Sequence, residues 1–223
     1  MAHSIAIDGP AGAGKSTIAK KAAAKLGFTY VDTGAMFRAM AVYFIDNGIA
    51  PDDVQAIAKA CDGITIEIEY IDGQQQIILN GENITGRLRN EETGNMASSI
   101  AVYPAVRNKL LELQRKIAFS KDVIMDGRDI GTCVLPDATC KIYLTASVAT
   151  RAARRYRELV EKNIPADMEA IAKDIEDRDY RDMHRETAPL KQADDAVLID
   201  SSDMDIEQVT DAIIAVYEAA LKR

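Results

Sequence analysis

The feature that most constrains this chain is a glycine-rich segment near its start. Residues 9–17 (GPAGAGKST) match the pattern G-x-x-x-x-G-K-[S/T]; the apolar run 4–8 before them predicts a strand, and the stretch 18–26 after them predicts a helix. In this setting the glycines let successive backbone N–H groups converge on an anion, and the helix N-terminus adds a partial positive charge. The sequence therefore predicts a cradle for the phosphates of a nucleoside triphosphate. Its members are Gly9, Pro10, Ala11, Gly12, Ala13, Gly14, Lys15, Ser16 and Thr17.

Three side chains around this cradle have expected roles. Lys15 is expected to reach the β- and γ-phosphates, and the Ser16 hydroxyl to ligate Mg²⁺. Asp126 follows a later apolar run. It is a candidate to orient water around the metal, or else to cap the loop that follows it, and the sequence leaves both roles open.

Composition bounds the class of protein. With 223 residues, 48% hydrophobic and 28% charged, the chain is one large domain or a core with small insertions. A formal net charge of −8 argues against nonspecific nucleic-acid binding, and we expect no membrane span and no signal peptide. The three cysteines show no metal-ligand spacing, so we expect reduced thiols in a cytoplasmic protein.

Strands and helices alternate along most of the chain. Apolar runs at 4–8, 28–32, 123–126, 141–145 and 196–200 predict five strands separated by helices. This is the pattern of an α/β fold with a five-stranded parallel sheet covered by helices on both faces. Ligands of such sheets bind at the carboxyl ends of the strands, where Pro10, Asp32, Asp126 and Arg128 are expected.

One region departs from this alternation. Residues 64–71 alternate with period two, Asp72-Gly73 predicts a turn, residues 76–80 predict a second strand, and residues 80–85 a third short one. We therefore expect a small antiparallel β insertion at about 63–86. Further on, helices are predicted at about 147–162 and 167–183.

The arginines are unevenly distributed. Residues 1–86 contain one arginine, Arg38, whereas seven of the fourteen fall in the window 151–185. Arginine presents a planar fork of donors that suits phosphate. The same window holds nine acidic residues, so a solvated helix surface is an alternative, and it is the favoured interpretation for Arg155 and Arg157.

The sequence also favours one kind of phosphate-loop protein. Asp126 is followed by Gly127 and not by the glutamate with which motor ATPases activate water, and residues 108–111 (NKLL) lack the aspartate of guanine-specific switches. An insertion and an arginine-rich segment are what a kinase needs to recognise an acceptor and exclude water. We expect a single kinase unit over 1–223, with a core at about 1–62, 104–147 and 186–223, an acceptor-binding insertion at about 63–103 and a helical lid at about 148–185.

Four segments together point to a family. Residues 9–17, 32–38 (DTGAMFR), 126–132 (DGRDIGT) with 136–138 (PDA), and 178–185 (RDYRDMHR) with 188–190 (APL) resemble the bacterial cytidylate kinases, which are nucleoside monophosphate kinases of the phosphate-loop class. The resemblance runs in order across essentially the whole chain. It implies Mg²⁺-dependent phosphoryl transfer from ATP to CMP, and usually dCMP, giving CDP or dCDP and ADP in pyrimidine nucleotide metabolism. It also favours a monomer.

The resemblance implies a role for each matching position. The monophosphate would be gripped by Arg38, Arg128 and Arg185. Cytosine would be faced by Ser98, Arg107 and Asp129. The sugar would be contacted by Arg178 and Asp182. The transferring phosphoryl group would be met by Lys15, Arg151, Arg154 and Arg181. Thr33 stands in the acceptor site where the family often has serine, and Phe37 where tyrosine is common.

Spacing alone is compatible with these roles but does not require them. Arg151 and Arg154 are three residues apart, and Arg178, Asp182 and Arg185 are separated by four and three, so each set shares a helical face. An ordinary amphipathic helix would show the same periodicity. Two other functions also stay open: a phosphate-loop kinase for another small acceptor, and a non-catalytic nucleotide-binding regulator, which the intact Lys15 and the arginines disfavour.

Overall fold

The structure is a computed structural model that describes residues 2–222. Its contacts divide the chain into two compact units. The first unit joins the N-terminal part, up to Tyr30, to everything from Lys121 onward. The second unit is the continuous stretch Val31–Ser120.

The strands and helices follow the predicted order closely. The strands are β1 (Ser4–Asp8), β2 (Thr29–Asp32), β3 (Ile66–Ile71), β4 (Gln74–Leu79), β5 (Glu82–Asn83), β6 (Val123–Gly127), β7 (Cys140–Thr145) and β8 (Val197–Asp200). The helices are α1 (Lys15–Leu26), α2 (Thr33–Asp46), α3 (Val54–Cys61), α4 (Glu91–Ile100), α5 (Pro104–Ser120), α6 (Val148–Glu161), α7 (Met168–His184) and α8 (Ile206–Ala220). A 3₁₀ turn at Thr85–Arg87 and a π-helical turn at Ile130–Val134 complete the set.

The first unit is built on the predicted sheet. Its five strands lie in the order β2-β6-β1-β7-β8, and β1 pairs in parallel with both β6 and β7. Helices α1 and α8 pack on each other and on this sheet, around a core that includes Ile7, Leu144, Ile213 and Tyr217. Because neighbouring strands run in the same direction, the segments after β1, β6 and β7 emerge at one edge, as expected for a ligand site.

The second unit contains the predicted antiparallel insertion. Strands β3, β4 and β5 form a three-stranded antiparallel sheet, while α2 packs on α4, α5 and β4. The Gln75 side chain on β4 holds both backbone groups of Asp32, because its Oε1 accepts the Asp32 N–H at 2.8 Å and its Nε2 donates to the Asp32 carbonyl at 3.3 Å. This amide fixes the start of α2, where Asp32 is the N-cap.

The differences from the predictions are local. Helix α1 begins at Lys15, inside the glycine-rich segment, and β4 begins two residues earlier than expected. The loop after β6 forms a π-helical turn that nothing in its sequence predicts. The predicted insertion (63–103) lies within the second unit, and both helices of the predicted lid lie within the first. Their assignment as functional parts stays a prediction, and the two ends of the expected unit, Met1 and Arg223, lie outside the described residues.

Two further observations concern composition. Among residues 2–222, no helix is long and apolar enough to cross a lipid bilayer. Cys61, Cys133 and Cys140 are free thiols, as predicted. Burial raises the pKa of the Cys140 thiol to about 12, which makes it a packing residue and not a nucleophile.

Candidate active site

The phosphate loop, residues 9–17, depends on its glycines for space and for backbone conformation. Gly9 has φ 151°, and a Cβ on it would lie 1.9 Å from the carbonyl oxygen of Leu144 on β7. Gly12 and Gly14 have φ 74° and 86°, in the left-handed region that favours glycine. Gly14 is the N-cap of α1, so the backbone N–H groups of the first helical turn stay open for an anion.

Lys15 lies folded into this loop. Its ammonium donates to the carbonyl oxygens of Gly9 at 2.8 Å and Pro10 at 2.7 Å. Burial, and next the nearby charge of Arg128, lower the pKa of Lys15 well below its ordinary value. A buried ammonium whose hydrogen bonds go to carbonyl oxygens gains from the addition of an anion, which is the property expected of the lysine that meets the triphosphate.

Asp126 lies at the end of β6 and faces the loop. Its Oδ2 accepts the Ser16 hydroxyl at 2.9 Å, and its Oδ1 accepts the Tyr30 hydroxyl at 2.8 Å. A serine hydroxyl and an aspartate side by side are the protein ligands with which phosphate-loop enzymes hold Mg²⁺ directly or through water. No group of three or more acidic, cysteine or histidine side chains that could hold a metal was found within 2–222. The pair therefore fits a Mg²⁺ whose other ligands are phosphate oxygens and water.

The loop after Asp126 is held by a carboxylate that the sequence analysis did not single out. Asp8, at the end of β1, accepts the backbone N–H groups of Ile130 and Gly131, each at 2.7 Å. These two bonds fix the π-helical turn Ile130–Val134. Burial raises the pKa of Asp8 to about 6, although the two backbone bonds oppose the shift. Asp8 thus caps this loop, and the role of Asp126 stays a prediction.

Four charged side chains form what we call the acceptor cluster: Arg128, Asp129, Asp182 and Arg185. The Arg128 Nε donates to Asp182 Oδ2 at 2.8 Å. Arg185 Nη2 lies 3.6 Å from Asp129 Oδ1, and its Nη1 lies 3.9 Å from Asp182 Oδ1. Burial opposes ionisation of Asp182, but the Arg128 guanidinium outweighs it and holds the pKa of Asp182 below its ordinary value. Arg128 and Asp182 are 54 positions apart in sequence, and each was predicted to contact the acceptor. The structure brings them together.

Arg151 lies against the phosphate loop itself. Its Nη1 donates to the Ala11 carbonyl at 2.8 Å and to Asp179 Oδ2 at 2.5 Å, and its Nε donates to the Ala146 carbonyl at 2.9 Å. The other Asp179 oxygen, Oδ1, accepts the Ala11 N–H at 3.0 Å. Arg151 and Asp179 are both buried, so α6 and α7 meet the loop through a closed ion pair.

The remaining arginines of the 151–185 window differ from one another. Arg154 lies near Gly14, and its Nη2 donates to the carbonyl of Ser201 after β8 at 2.6 Å. Arg178 is half-buried on α7. Arg181 is exposed and donates to the Asp177 carbonyl one turn earlier on the same helix, so the structure does not bring it to the loop. Arg155 forms an exposed ion pair with Glu158, which agrees with its predicted role as a solvated surface residue.

The other predicted acceptor residues belong to the second unit. Thr33 is buried in the first turn of α2, and Ser98 is half-buried on α4. The Arg38 guanidinium folds back over Gly34, where a Cβ would lie 3.2 Å from its Nη1. Arg107 stacks over the Phe37 ring at 5.7 Å and donates to the Ala101 carbonyl at 3.1 Å. Phe37 therefore has a contact of its own that does not depend on a phenol hydroxyl.

Four side chains with a structural role in the site were not found from the sequence: Asp8, Tyr30, Gln75 and Asp179. Asp8 is the last residue of β1, so its position at a strand end was an available signal. Asp179 stands in a run of alternating acidic and basic residues, where it is indistinguishable from a solvated carboxylate. Tyr30 and Gln75 act through pairings with residues 96 and 43 positions away, which no local pattern records.

Known proteins that are similar to this chain indicate its family. A family model described as cytidylate kinase matches residues 5–219. The cytidylate kinase of Lactobacillus johnsonii is 46% identical over 98% of this chain and 95% of its own length, and that of Alkaliphilus metalliredigens is 49% identical over 96% and 95%. A solved structure, an uncharacterized protein from Eubacterium ventriosum, superposes with a TM-score of 0.55 at 14% identity, covering 97% of this chain and 99% of its own, and supports the fold alone. On the family match and the full-length relatives, this chain belongs to the cytidylate kinase family.

Proposed function

We propose that this protein transfers the γ-phosphoryl group of ATP to CMP and dCMP, giving CDP or dCDP and ADP. Family membership supports the reaction class and ATP as the co-substrate. The observation that carries the proposal is the proximity of the acceptor cluster to the phosphate loop. The Arg128 charge lies close enough to Lys15 to lower the pKa of that ammonium, so two groups suited to two different phosphates share one site.

The mechanism follows from the charges of the reactants. The attacking oxygen of a nucleoside monophosphate is already anionic, so the reaction needs no strong general base. The obstacle is that two polyanions must approach in line despite their mutual repulsion. Catalysis is therefore positioning together with neutralisation of the charge on the transferring group. Lys15, Arg151, Arg154 and Arg181 are proposed for the second task. Of these, Arg181 must leave its exposed position on α7 to take part.

The phosphate loop and its neighbours are proposed to bind the donor. The N–H groups of residues 9–17 hold the phosphates, and Lys15 moves its ammonium from the Gly9 and Pro10 carbonyls to the β- and γ-phosphates. Ser16 and Asp126 are proposed to hold Mg²⁺, the second of them through water. When bound, the ion would neutralise negative charge that develops on the phosphates.

The acceptor is proposed to lie where cationic and acidic side chains alternate. Arg38, Arg128 and Arg185 hold its phosphate, and Arg178 and Asp182 its sugar. Asp129, with Ser98 and Arg107, faces the base, and its carboxylate accepts a proton from the exocyclic amine of cytosine. Uracil has a carbonyl at that position and no proton to give, which is why the site discriminates against it. The segments 63–103 and 148–185 are proposed as acceptor-binding insertion and lid, on a cytoplasmic monomer.

A coupled assay of ADP release tests the proposal. The purified protein is given ATP and Mg²⁺ with CMP, dCMP, UMP, AMP or shikimate, and each reaction is repeated with excess chelator. We expect turnover with CMP and dCMP that the chelator abolishes. Faster turnover with another acceptor would identify a different phosphate-loop kinase. Tight ATP binding without turnover on any acceptor would identify a nucleotide-binding regulator.

A further inference from the structure

Asp179 is a buried carboxylate that lies against the backbone of the phosphate loop at Ala11. Its side chain is 11% exposed, and both of its oxygens are engaged, Oδ1 with the Ala11 N–H and Oδ2 with the Arg151 guanidinium. Arg151 closes the ring of contacts by donating to the Ala11 carbonyl from the same nitrogen. One carboxylate thus joins α7, α6 and the loop.

The two donors that Asp179 occupies are of the kind that binds phosphate. Backbone N–H groups of a glycine-rich loop and a guanidinium fork both prefer an oxyanion. In this structure the oxyanion bound to both donors is the Asp179 carboxylate. Its negative charge also stands next to the place where a polyanion must enter, and in a site shielded from water such a charge is poorly screened.

The position of Ala11 indicates which phosphate is affected. The Lys15 ammonium lies against the carbonyls of Gly9 and Pro10, the two residues directly before Ala11. Because this lysine reaches the β- and γ-phosphates in phosphate-loop proteins, Ala11 lies at the terminal-phosphate end of the loop. Competition with Asp179 is therefore strongest for the γ-phosphate.

We propose that Asp179 is a positioning residue that acts as an exchangeable internal anion. Without nucleotide it holds Arg151 and the Ala11 N–H in place. The γ-phosphate of the donor displaces it and thereby frees Arg151 for the transferring group. The inference rests on the proposed donor site. It implies that the free energy needed to open the ion pair of Arg151 and Asp179 lowers the affinity for ATP.

The test is the affinity of Asp179→Asn for a β,γ-methylene analogue of ATP and for ADP, measured by titration calorimetry. The two donors meet different oxygens of Asp179, and an amide presents an NH₂ group at one of these positions and carries no charge, so it cannot satisfy both donors in place. We expect the analogue to bind at least about fivefold more tightly than to the unmodified protein, with a smaller gain for ADP. Asp177→Asn is the matched control, because it removes the same charge from an exposed position on the same helix and is expected to change neither affinity.

Two further variants separate charge from structural support. Asp179→Ser is also neutral and is expected to favour the analogue over ADP, whereas Asp179→Glu keeps the charge and is expected not to. A weaker or unchanged affinity for the analogue in folded Asp179→Asn and Asp179→Ser overturns the proposal. Unfolding of both neutral variants, judged by circular dichroism, overturns it as well, since the carboxylate would then be a structural support. The measurement uses no acceptor, so it stands apart from whether CMP is phosphorylated.

Discussion

In the unit that contains the phosphate loop, Arg128, Arg151 and Arg185 lie against carboxylates, whereas Arg38 and Arg107 in Val31–Ser120 lie against a glycine and an aromatic ring. The side chains of Arg151 and Arg185 are 5% and 6% exposed, respectively. Arg38 and Arg107 are half-buried, so water solvates part of their charge. Burial of an arginine is costly unless a carboxylate compensates it, which explains the difference.

The predicted site residues of the two units therefore differ in what contacts their charges before a substrate binds. The first unit keeps internal anions where substrate phosphates are expected, so binding there is an exchange of partners. The second unit presents guanidinium groups that water already solvates, so binding there replaces solvent. Substitutions in the first unit should therefore change stability and activity together, and those in the second mainly activity.

The largest effect is expected at Gly9. A Cβ on Gly9 would lie 1.9 Å from a backbone oxygen of β7, so Gly9→Ala must push the loop away from the sheet. We expect it to lower the free energy of unfolding by about 3 kcal/mol or more and to abolish ATP binding. Gly81→Ala is the control in the second unit: Gly81 has φ 86° but open space around it, so the loss should be only about 1 kcal/mol. Denaturant unfolding measures both, and equal losses would contradict the steric reason given for Gly9.

Removal of Arg128 comes next. A charge-assisted hydrogen bond contributes about 1.5–3 kcal/mol, so Arg128→Ala should reduce kcat/KM for CMP about tenfold to a hundredfold while ATP affinity barely changes. It also removes the nearest cationic partner of the buried Asp182, and we expect the free energy of unfolding to fall by about 1–3 kcal/mol.

Arg38→Ala, in the second unit, is compared with Arg128→Ala in the first. It should reduce kcat/KM for CMP to a similar extent, because the same phosphate is contacted. Its effect on stability should stay within about 0.5 kcal/mol, since water already solvates part of the side chain. Steady-state kinetics of both variants measure kcat/KM for CMP, and denaturant unfolding measures the loss of stability. An unchanged kcat/KM in Arg128→Ala would defeat the assignment of the acceptor cluster.

A smaller effect is expected on base selection. Asp129→Ala should narrow the ratio of kcat/KM values for CMP and UMP by about tenfold, corresponding to about 1.4 kcal/mol, because the proposed acceptor for the cytosine amine is lost. Ser98→Ala, in the second unit, provides the comparison and should narrow the ratio less, because a hydroxyl is a weaker acceptor than a carboxylate. If the ratio survives both substitutions, another residue recognises the base.

The smallest effect concerns pH. Because burial raises the pKa of Asp8 to about 6 from 3.8, the folded state binds more protons than the unfolded state between these values. Asp8 therefore stabilises the fold most below about pH 4, and this contribution is lost as the pH rises through about 6. Between pH 7 and pH 5 the unmodified protein should gain about 1 kcal/mol relative to Asp8→Asn. Unfolding curves of both proteins at the two pH values test this, and a difference that does not depend on pH would show that the pKa is ordinary.

Much of the fold could be predicted because its signals are local. The period-two alternation at 64–71 identified β3, and the glycine and lysine of residues 9–17 identified the phosphate loop within its strand and helix. Tyr103-Pro104 marked the break between α4 and α5, which the structure has at that point. These features depend on neighbouring residues, so one sequence suffices.

The site could be predicted only where a residue type carries its own chemistry. Arg128, Asp182 and Arg185 were predicted from the family resemblance, and the structure shows that they lie together. Asp179 and Asp8 were missed because a carboxylate reveals its role only through the backbone N–H groups it meets, and those belong to residues more than a hundred positions away. The contact that Arg181 makes with its own helix was missed for a related reason, since helical spacing does not distinguish an exposed face from a site face.

The central place of β1 has a consequence for how the chain matures during synthesis. Strand β1 leaves the ribosome before its neighbours β6 and β7, which lie more than a hundred residues later. Residues 31–120 are continuous, so they can fold before β1 pairs with these two strands. The glycine-rich loop after β1 is therefore expected to become resistant to proteases later than residues 31–120, although it is synthesised before them.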